Sequence, residues 1–271
     1  IYYIPVVVHV FHDGEAIGEG PNLSKERIKD QVKTLNEDYR RKIGTRGYNE
    51  HPDGADSGIE FVLAKTSPDG SVTDGIVRIN QKEYEKEHKD SYFDYLAQYS
   101  YWNPWQYLNI WVVPTRDDYV DSFLGLANGP ETDLPGGHLL TPGEPLQAEG
   151  VIIGHHHFGT SDINSKYNLG RTLTHEIGHY LGLLHTWGNK NCEENDFCDD
   201  TPAVNSYVTG GTPYMGCNGE EVMISNYMNW TDDEVMNIFT NDQVYRMRYV
   251  LQNSPRRKSL LTSPGLGFGD L

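Results

Sequence analysis

Apolar positions along the chain change their period several times, and each change marks an element. Ile4 to Phe11 reads I-P-V-V-V-H-V-F, a β-branched run that predicts a strand. Gly14 to Pro21 is a turn-rich loop. Beyond it Ile28, Val32, Leu35 and Tyr39 recur at helical spacing. Ser24 is placed to cap that helix, with Leu23 and Ile28 as its hydrophobic staple. Residues 44–58 are rich in Gly, Asp and Asn and predict a surface loop. Ile59–Ala64 and Gly75–Ile79 predict further strands, with a turn at Pro68-Asp69-Gly70. Residues 81–92 are charged and predict a solvated face. The aromatic-rich stretch 92–107 predicts helix-and-loop core rather than a ligand platform. Tyr107–Val113, Y-L-N-I-W-V-V, is apolar enough for a central strand.

Phe123–Asn128, F-L-G-L-A-N, is short and broken by glycine, which suits a sheet edge. Residues 129–147 predict a Pro/Gly-rich loop, and Val151–Gly154 a strand that leads into His155-His156-His157. Asn168–Leu181 predicts a helix that buries Leu169, Leu173, Ile177 and Leu181. Regular patterning then fades until Thr240. There Thr240 and Gln243 fit a capping box, stapled by Phe239 and Val244, for a helix from about Asn241 to Gln252. The tail from Ser254 is expected to be loose. Strand, helix, strands, helix and an irregular final stretch predict an α/β (α+β) domain with a cleft.

The candidate chemistry lies in the helix before the irregular half. His175-Glu176-Ile177-Gly178-His179 and the following Gly182 and His185 read H-E-x-x-H-x-x-G-x-x-H. On a helix, His175 and His179 are four apart and share a face, so both imidazoles can bind one metal ion. Glu176 stands where a general base toward water on that metal is needed. His185 would point away if the helix continued. Gly182 can end the helix with positive φ and let His185 return as a third ligand. Three imidazoles with one open position suit a catalytic zinc, whereas a structural site is closed by a fourth protein ligand.

Charge narrows the partners. The chain carries 39 acidic against 22 basic residues, a formal net charge of −17 over 271 residues. This argues against nucleic acid and anionic membranes, and fits a secreted protein drawn to cationic substrates. No run approaches 18 apolar residues, so no membrane span is expected. A first residue of Ile1 rather than Met is expected of a processed chain. Cys192, Cys198 and Cys217 cluster just after the histidines and suggest a local staple in an oxidising compartment. All three pairings stay open on this reading. Glu193 to Thr201 offers seven side-chain oxygen donors, with Asp196, Asp199, Asp200 and Thr201 as candidate calcium ligands. Three consecutive histidines at 155–157 could hold a second metal, but packing beneath the zinc helix is the favoured reading.

The eleven-residue motif resembles the zinc signature of metzincin metalloproteases. Further segments resemble the pappalysin family, in particular its ulilysin-like prokaryotic members. These are I-P-V-V-V-H-V-F, Y-L-N-I-W-V-V-P, G-V-I-I-G, G-R-T-L-T-H-E-I-G-H-Y-L-G-L-L-H-T-W, D-D-T-P, N-Y-M-N-W-T-D-D and F-T-x-x-Q-x-x-R-M, which span Ile4 to Met247. The resemblance implies one metalloprotease domain with a mixed five-stranded sheet, a backing helix and the zinc helix. Its upper subdomain would be 1–184, and its lower, irregular subdomain 185–271 with a final helix. It implies that Met228 forms the methionine turn beneath the zinc without ligating it, and that the lower subdomain binds calcium. Trp230 stands where the family usually has Tyr, and an indole N–H can donate but not give up a proton as a phenol can. The family's Cys before the Met of D-x-C-M is Val235 here, next to Met236. By position in that pattern, Cys192–Cys217 is favoured, with Cys198 left free.

Asp233, five residues after Met228, is implied to lie at the base of the pocket for the residue after the scissile bond and to favour Arg, then Lys. Gly125, Leu126 and Ala127 would pair with an extended substrate. The expectation is a secreted, monomeric zinc endopeptidase acting on protein or peptide, with an N-terminal prosegment or inhibitor as the latency partner. A catalytically inactive metal-stabilised binding or adhesion domain is the alternative, and intact Glu176 argues against it. A zinc hydrolase of non-peptide substrates is the third reading.

Overall fold

Eleven consecutive residues, Tyr2–His12, form β1, and the rest of the sheet is laid against them. The computed structural model describes residues 1–84, 87–115, 118–140, 148–193 and 195–267. The further strands are β2 (Ile59–Leu63), β3 (Ile76–Asn80), β4 (Leu108–Val113), β5 (Gly125–Ala127) and β6 (Val151–Gly154). Their order is β2-β1-β4-β6-β5, with β3 also on β1. β2 pairs with Tyr2–Val6 and β3 with Val8–His12, so two short strands lie end to end along one long one. Five positions across the sheet therefore hold six strands. All pairings are parallel except β5 on β6, which puts the short antiparallel strand at the edge.

β1 is apolar at nearly every position because both faces of the sheet are covered. Ile4, Val6, Val8 and Val10 join the main core with Leu108, Ile110, Val112 and Ile153. Phe11, Trp111, Val113 and Ile152 face the opposite way into an aromatic layer with Phe93 and Leu96. The stretch after residue 91 supplies that layer through α2 (Tyr92–Ala97) and its following loop. His9 is buried on this side, with Nδ1 2.8 Å from Ser100 Oγ and Nε2 2.9 Å from Asn109 Oδ1.

The main core is closed by α1 (Lys25–Tyr39), α3 (Arg171–Tyr180) and α4 (Asn241–Asn253). Ser24 caps α1 by accepting from the Arg27 N–H, with Leu23 and Ile28 buried beside it. Thr240 and Gln243 form the expected capping box of α4. α3 begins three residues later than the apolar spacing predicts. The Leu169 N–H is taken by Asp233 Oδ2 at 2.8 Å, and Leu169 pairs with Thr160 in an isolated bridge, so that segment docks instead of coiling. The core draws on both sides of Leu184, since Leu183, Tyr227, Met228, Met247 and Leu260 all belong to it.

The tail from Ser254 to Gly267 is not loose. α5 (Pro255–Lys258) packs on α4, and turns at Ser259–Thr262 and Pro264–Leu266 press onto β1, burying Leu260. The Arg257 guanidinium lies 3.4 Å over the Tyr180 ring and, with Arg256, pairs with the buried Glu149. Its polar composition suggested a solvated tail, but the charges are matched by an acid about a hundred residues earlier in the chain.

Candidate active site

His175 and His179 project from one face of α3. The helix stops after Tyr180, and Gly182 at φ +92° reverses the chain. The Leu183 N–H closes the end on the Gly178 carbonyl at 2.9 Å, and His185 returns toward the other two. The three Nε2 atoms lie 3.1, 3.1 and 3.2 Å apart. Three nitrogens held tetrahedrally at zinc distances would be about 3.3–3.4 Å apart.

The other ring nitrogens fix how these imidazoles are protonated. His175 Nδ1 donates to the Tyr227 carbonyl at 2.7 Å and His179 Nδ1 to the Leu183 carbonyl at 2.8 Å. Their Nε2 lone pairs therefore face one point, an arrangement that repels itself unless a cation sits there. Burial lowers His175 to about 3, with the neighbouring His179 adding to the shift, and lowers His179 to about 4. His185 is likewise pushed well down by burial and by both partners. Neutral imidazoles are the form that binds metal. Among the described residues, this triad is the group whose side chains bring three ligand atoms within 4.8 Å.

Met228 underlies the triad and is fully buried. A β-carbon at Gly178 would lie 2.4 Å from its Sδ, so only glycine lets helix and methionine meet this closely. Asn226 Oδ1 accepts from the Met228 N–H at 2.9 Å. Asn226 in turn exchanges two hydrogen bonds with Gln243, so the capping box of α4 also anchors the turn.

Glu176 borders the same cleft, buried, and burial pushes its carboxyl up to about 8. The cleft has a volume of about 370 Å³. Gly125, Leu126 and Ala127 form one wall, with Leu126 exposed at the sheet edge. Trp230 and Asp233 lie on the cleft's lining too. The Trp230 indole Nε1 is 3.2 Å from His185 Nε2, and the ring stacks on Tyr207 at 5.0 Å. Asp233 is buried. Its Oδ2 accepts from the Leu169 and Arg171 N–H groups at 2.8 and 3.3 Å, while Oδ1 has no partner. Burial raises its carboxyl to about 6.

The acidic loop ties its candidate ligands into two hydrogen-bonded groups. Asp196 is buried and raised to about 7 by burial, its Oδ1 accepting from Thr201 Oγ1 at 2.6 Å and from the Cys198 N–H. The Asp199 N–H and the Asp200 carboxylate instead engage Asp242 at the start of α4. Asp196 Oδ2 and Asp200 Oδ1 are buried without partners. Glu194 lies outside the described residues. Cys192 is bonded to Cys217, and Cys198 is free and buried. His155–His157 form one turn, in which His155 and His157 are buried. His157 sits between the Tyr167 and Val120 carbonyls.

Sequence reasoning missed Tyr167 and Arg171, which also line the cleft. Tyr167 O–H donates to the Trp230 carbonyl at 3.2 Å, and Arg171 pairs with the buried Asp38. Asp38 left a readable signal, since it is an acid between Leu35 and Tyr39 on the apolar face of α1 and such an acid needs a partner.

Comparison with known proteins follows the same lines. Residues 91–252 match the family Peptidase_M43, described as pregnancy-associated plasma protein-A. Mature mirolysin of Tannerella forsythia, solved in complex with a cleaved peptide, is similar in structure with a TM-score of 0.78. It is 32% identical, over 96% of this chain and 95% of that one. An extracellular metalloprotease of Verticillium alfalfae is 36% identical over 152 residues, 54% of this chain and 50% of the relative. One of Arthroderma benhamiae is 25% identical over 248 residues, 90% of this chain and 75% of the relative. The match thus spans about half the length of the Verticillium relative. No helix among the described residues is long and apolar enough to cross a membrane. The chain belongs to the Peptidase_M43, or pappalysin, family of metzincin metalloendopeptidases.

Proposed function

We propose that this chain is a zinc endopeptidase that acts outside the cell and cleaves peptide bonds before Arg and, less well, before Lys. The observation that carries the reading is the convergence of three Nε2 lone pairs beside buried Glu176, in a cleft that also holds an unpartnered carboxylate oxygen. His175, His179 and His185 would hold the zinc. Zinc bound there supplies a positive centre that polarises a peptide carbonyl and acidifies water.

The remaining steps belong to the protein. The edge strand β5 at Gly125–Ala127 takes an extended substrate as an added strand. Glu176, whose ionised form a cation held by the three histidines would favour, accepts the proton of the attacking water and passes it to the leaving amine nitrogen. The Trp230 N–H donates toward the substrate but cannot shuttle a proton. Asp233 Oδ1 receives the cationic side chain that follows the scissile bond, where little water competes. Structures exist of both mirolysin and promirolysin, which supports a prosegment for this chain as well. The acidic loop is proposed to bind calcium, with Asp196 Oδ2 and Asp200 Oδ1 as its free acceptors. The test of the reading is a peptide-library digest by wild type and Asp233→Ala, with and without chelator. Chelator-sensitive cleavage before Arg, lost in the variant, is expected. A wild type that prefers Leu there, or a variant that keeps its Arg preference, refutes the Asp233 assignment.

A further inference from the structure

Behind the pocket acid lies a second carboxylate that the proposed reaction does not use. Asp38, in the last turn of α1, is 2% exposed. Its Oδ1 accepts from Arg171 Nη2 at 3.1 Å and its Oδ2 from Thr174 Oγ1 at 2.7 Å. Arg171 opens α3 and borders the cleft together with Asp233. Its Nη1 donates to the Leu169 carbonyl at 3.1 Å, and its backbone N–H to Asp233 Oδ2 at 3.3 Å. Arg171 Nε and Asp233 Oδ1 are both buried and both unpartnered. Each of the two side chains feels the other's charge, yet they are not bonded to each other. A guanidinium on the residue whose backbone N–H already binds that carboxylate would ordinarily claim its free oxygen. Here the guanidinium is held instead by Asp38.

We infer that Asp38 is a positioning residue for specificity: by holding the Arg171 guanidinium, it keeps the Asp233 carboxylate open to a cationic side chain of the substrate. The inference rests on the reading of Asp233 given above. Charge balance supports it. Asp38, Arg171 and Asp233 together carry one uncompensated negative charge in a buried setting, which an incoming cation neutralises. Without the Asp38 charge the sum is zero, and Arg171 becomes the internal counterion of Asp233.

A merely structural Asp38 would clamp α1 to α3, and its loss would lower activity on all peptides alike. The distinguishing readout is the ratio of kcat/KM for two peptides that differ only in Arg or Leu after the scissile bond. It is measured on the zinc-loaded wild type, Asp233→Ala, Asp38→Asn, Arg171→Gln and the double variant Asp38→Asn/Arg171→Gln. Asp38→Asn should lower the Arg:Leu ratio about tenfold or more, as expected when a charge-assisted pairing is lost. The double variant should return it to within about threefold of wild type, because no guanidinium is left to occupy Asp233. Arg171→Gln alone should keep or raise the ratio. An unchanged ratio in Asp38→Asn, or no rescue in the double variant, overturns the inference. Should Asp38→Asn fail to fold, Arg171→Gln decides, and a tenfold fall there overturns it. A wild type without Arg preference, or Asp233→Ala that keeps it, locates the failure in the reading of Asp233 and takes this inference with it.

Discussion

Replacing Gly178 with alanine sets two effects of known sign against each other. A glycine inside a helix costs about 1 kcal/mol relative to alanine, so helix propensity favours the substitution. The new methyl would lie 2.4 Å from Met228 Sδ and 3.1 Å from Met228 Cε, and Met228 is 0% exposed. Overpacking of this kind costs about 1–3 kcal/mol. Gly178→Ala should therefore lose about 1 kcal/mol net. Met228→Ala, which empties the same space, should lose about 2–5 kcal/mol. In the double variant the new methyl enters the vacated volume, so the combined loss should fall short of the sum by at least about 1 kcal/mol. Zinc affinity should weaken in Gly178→Ala as well, because the neighbouring Tyr227 carbonyl orients His175. Urea unfolding of the four proteins at saturating zinc gives the coupling, and competition with a chromogenic chelator gives the affinity. Additive losses within about 0.5 kcal/mol, or a stabilised Gly178→Ala with unchanged zinc affinity, would refute close packing of helix and methionine as the reason for this glycine.

Two further outcomes follow from buried charge. His9 is lowered from 6.5 to about 4 by burial, so the unfolded chain takes up a proton there that the folded one refuses, and stability falls as pH drops through that window, by about 3 kcal/mol. Urea unfolding should show a shallower loss between pH 6.5 and 4.5 for His9→Gln than for wild type, since the zinc histidines contribute to both proteins, and equal slopes would reject a neutral buried His9. A calcium-selective chelator should lower Tm and expose the Cys192–Thr201 loop to proteolysis, because a ligand held only by the folded state stabilises it. An unchanged Tm together with no calcium by elemental analysis would leave that loop without a metal.

What was legible in the sequence was local. His175, His179, Gly182 and His185 are tied by helix geometry within eleven residues, so spacing alone predicted their convergence. Ser24 and Thr240 announce their helices through capping chemistry that spans only three residues. Contacts between distant segments were not legible. The late start of α3 depends on Asp233, 64 residues after Leu169. The ordered tail depends on Glu149, 108 residues before Arg257. The Arg171–Asp38 pair spans 133 residues, and the acid on the apolar face of α1 signals that a partner is needed without saying which residue supplies it. The end-to-end placement of β2 and β3 was hidden for a geometric reason. The spacing predicts each strand singly, and only the unequal lengths of β1 and its partners let β2 and β3 share one side of it.

The central claim is that three imidazoles hold the metal while Glu176 moves the proton, and one variant separates those roles. Glu176→Gln keeps the size of the side chain and removes its basicity. Zinc content and hydrolysis of an Arg-containing peptide should be measured together on wild type and variant. The account predicts about one zinc per chain in both, with hydrolysis in the variant lower by about a hundredfold or more. A variant that keeps more than a few per cent of wild-type activity with its zinc in place would contradict it.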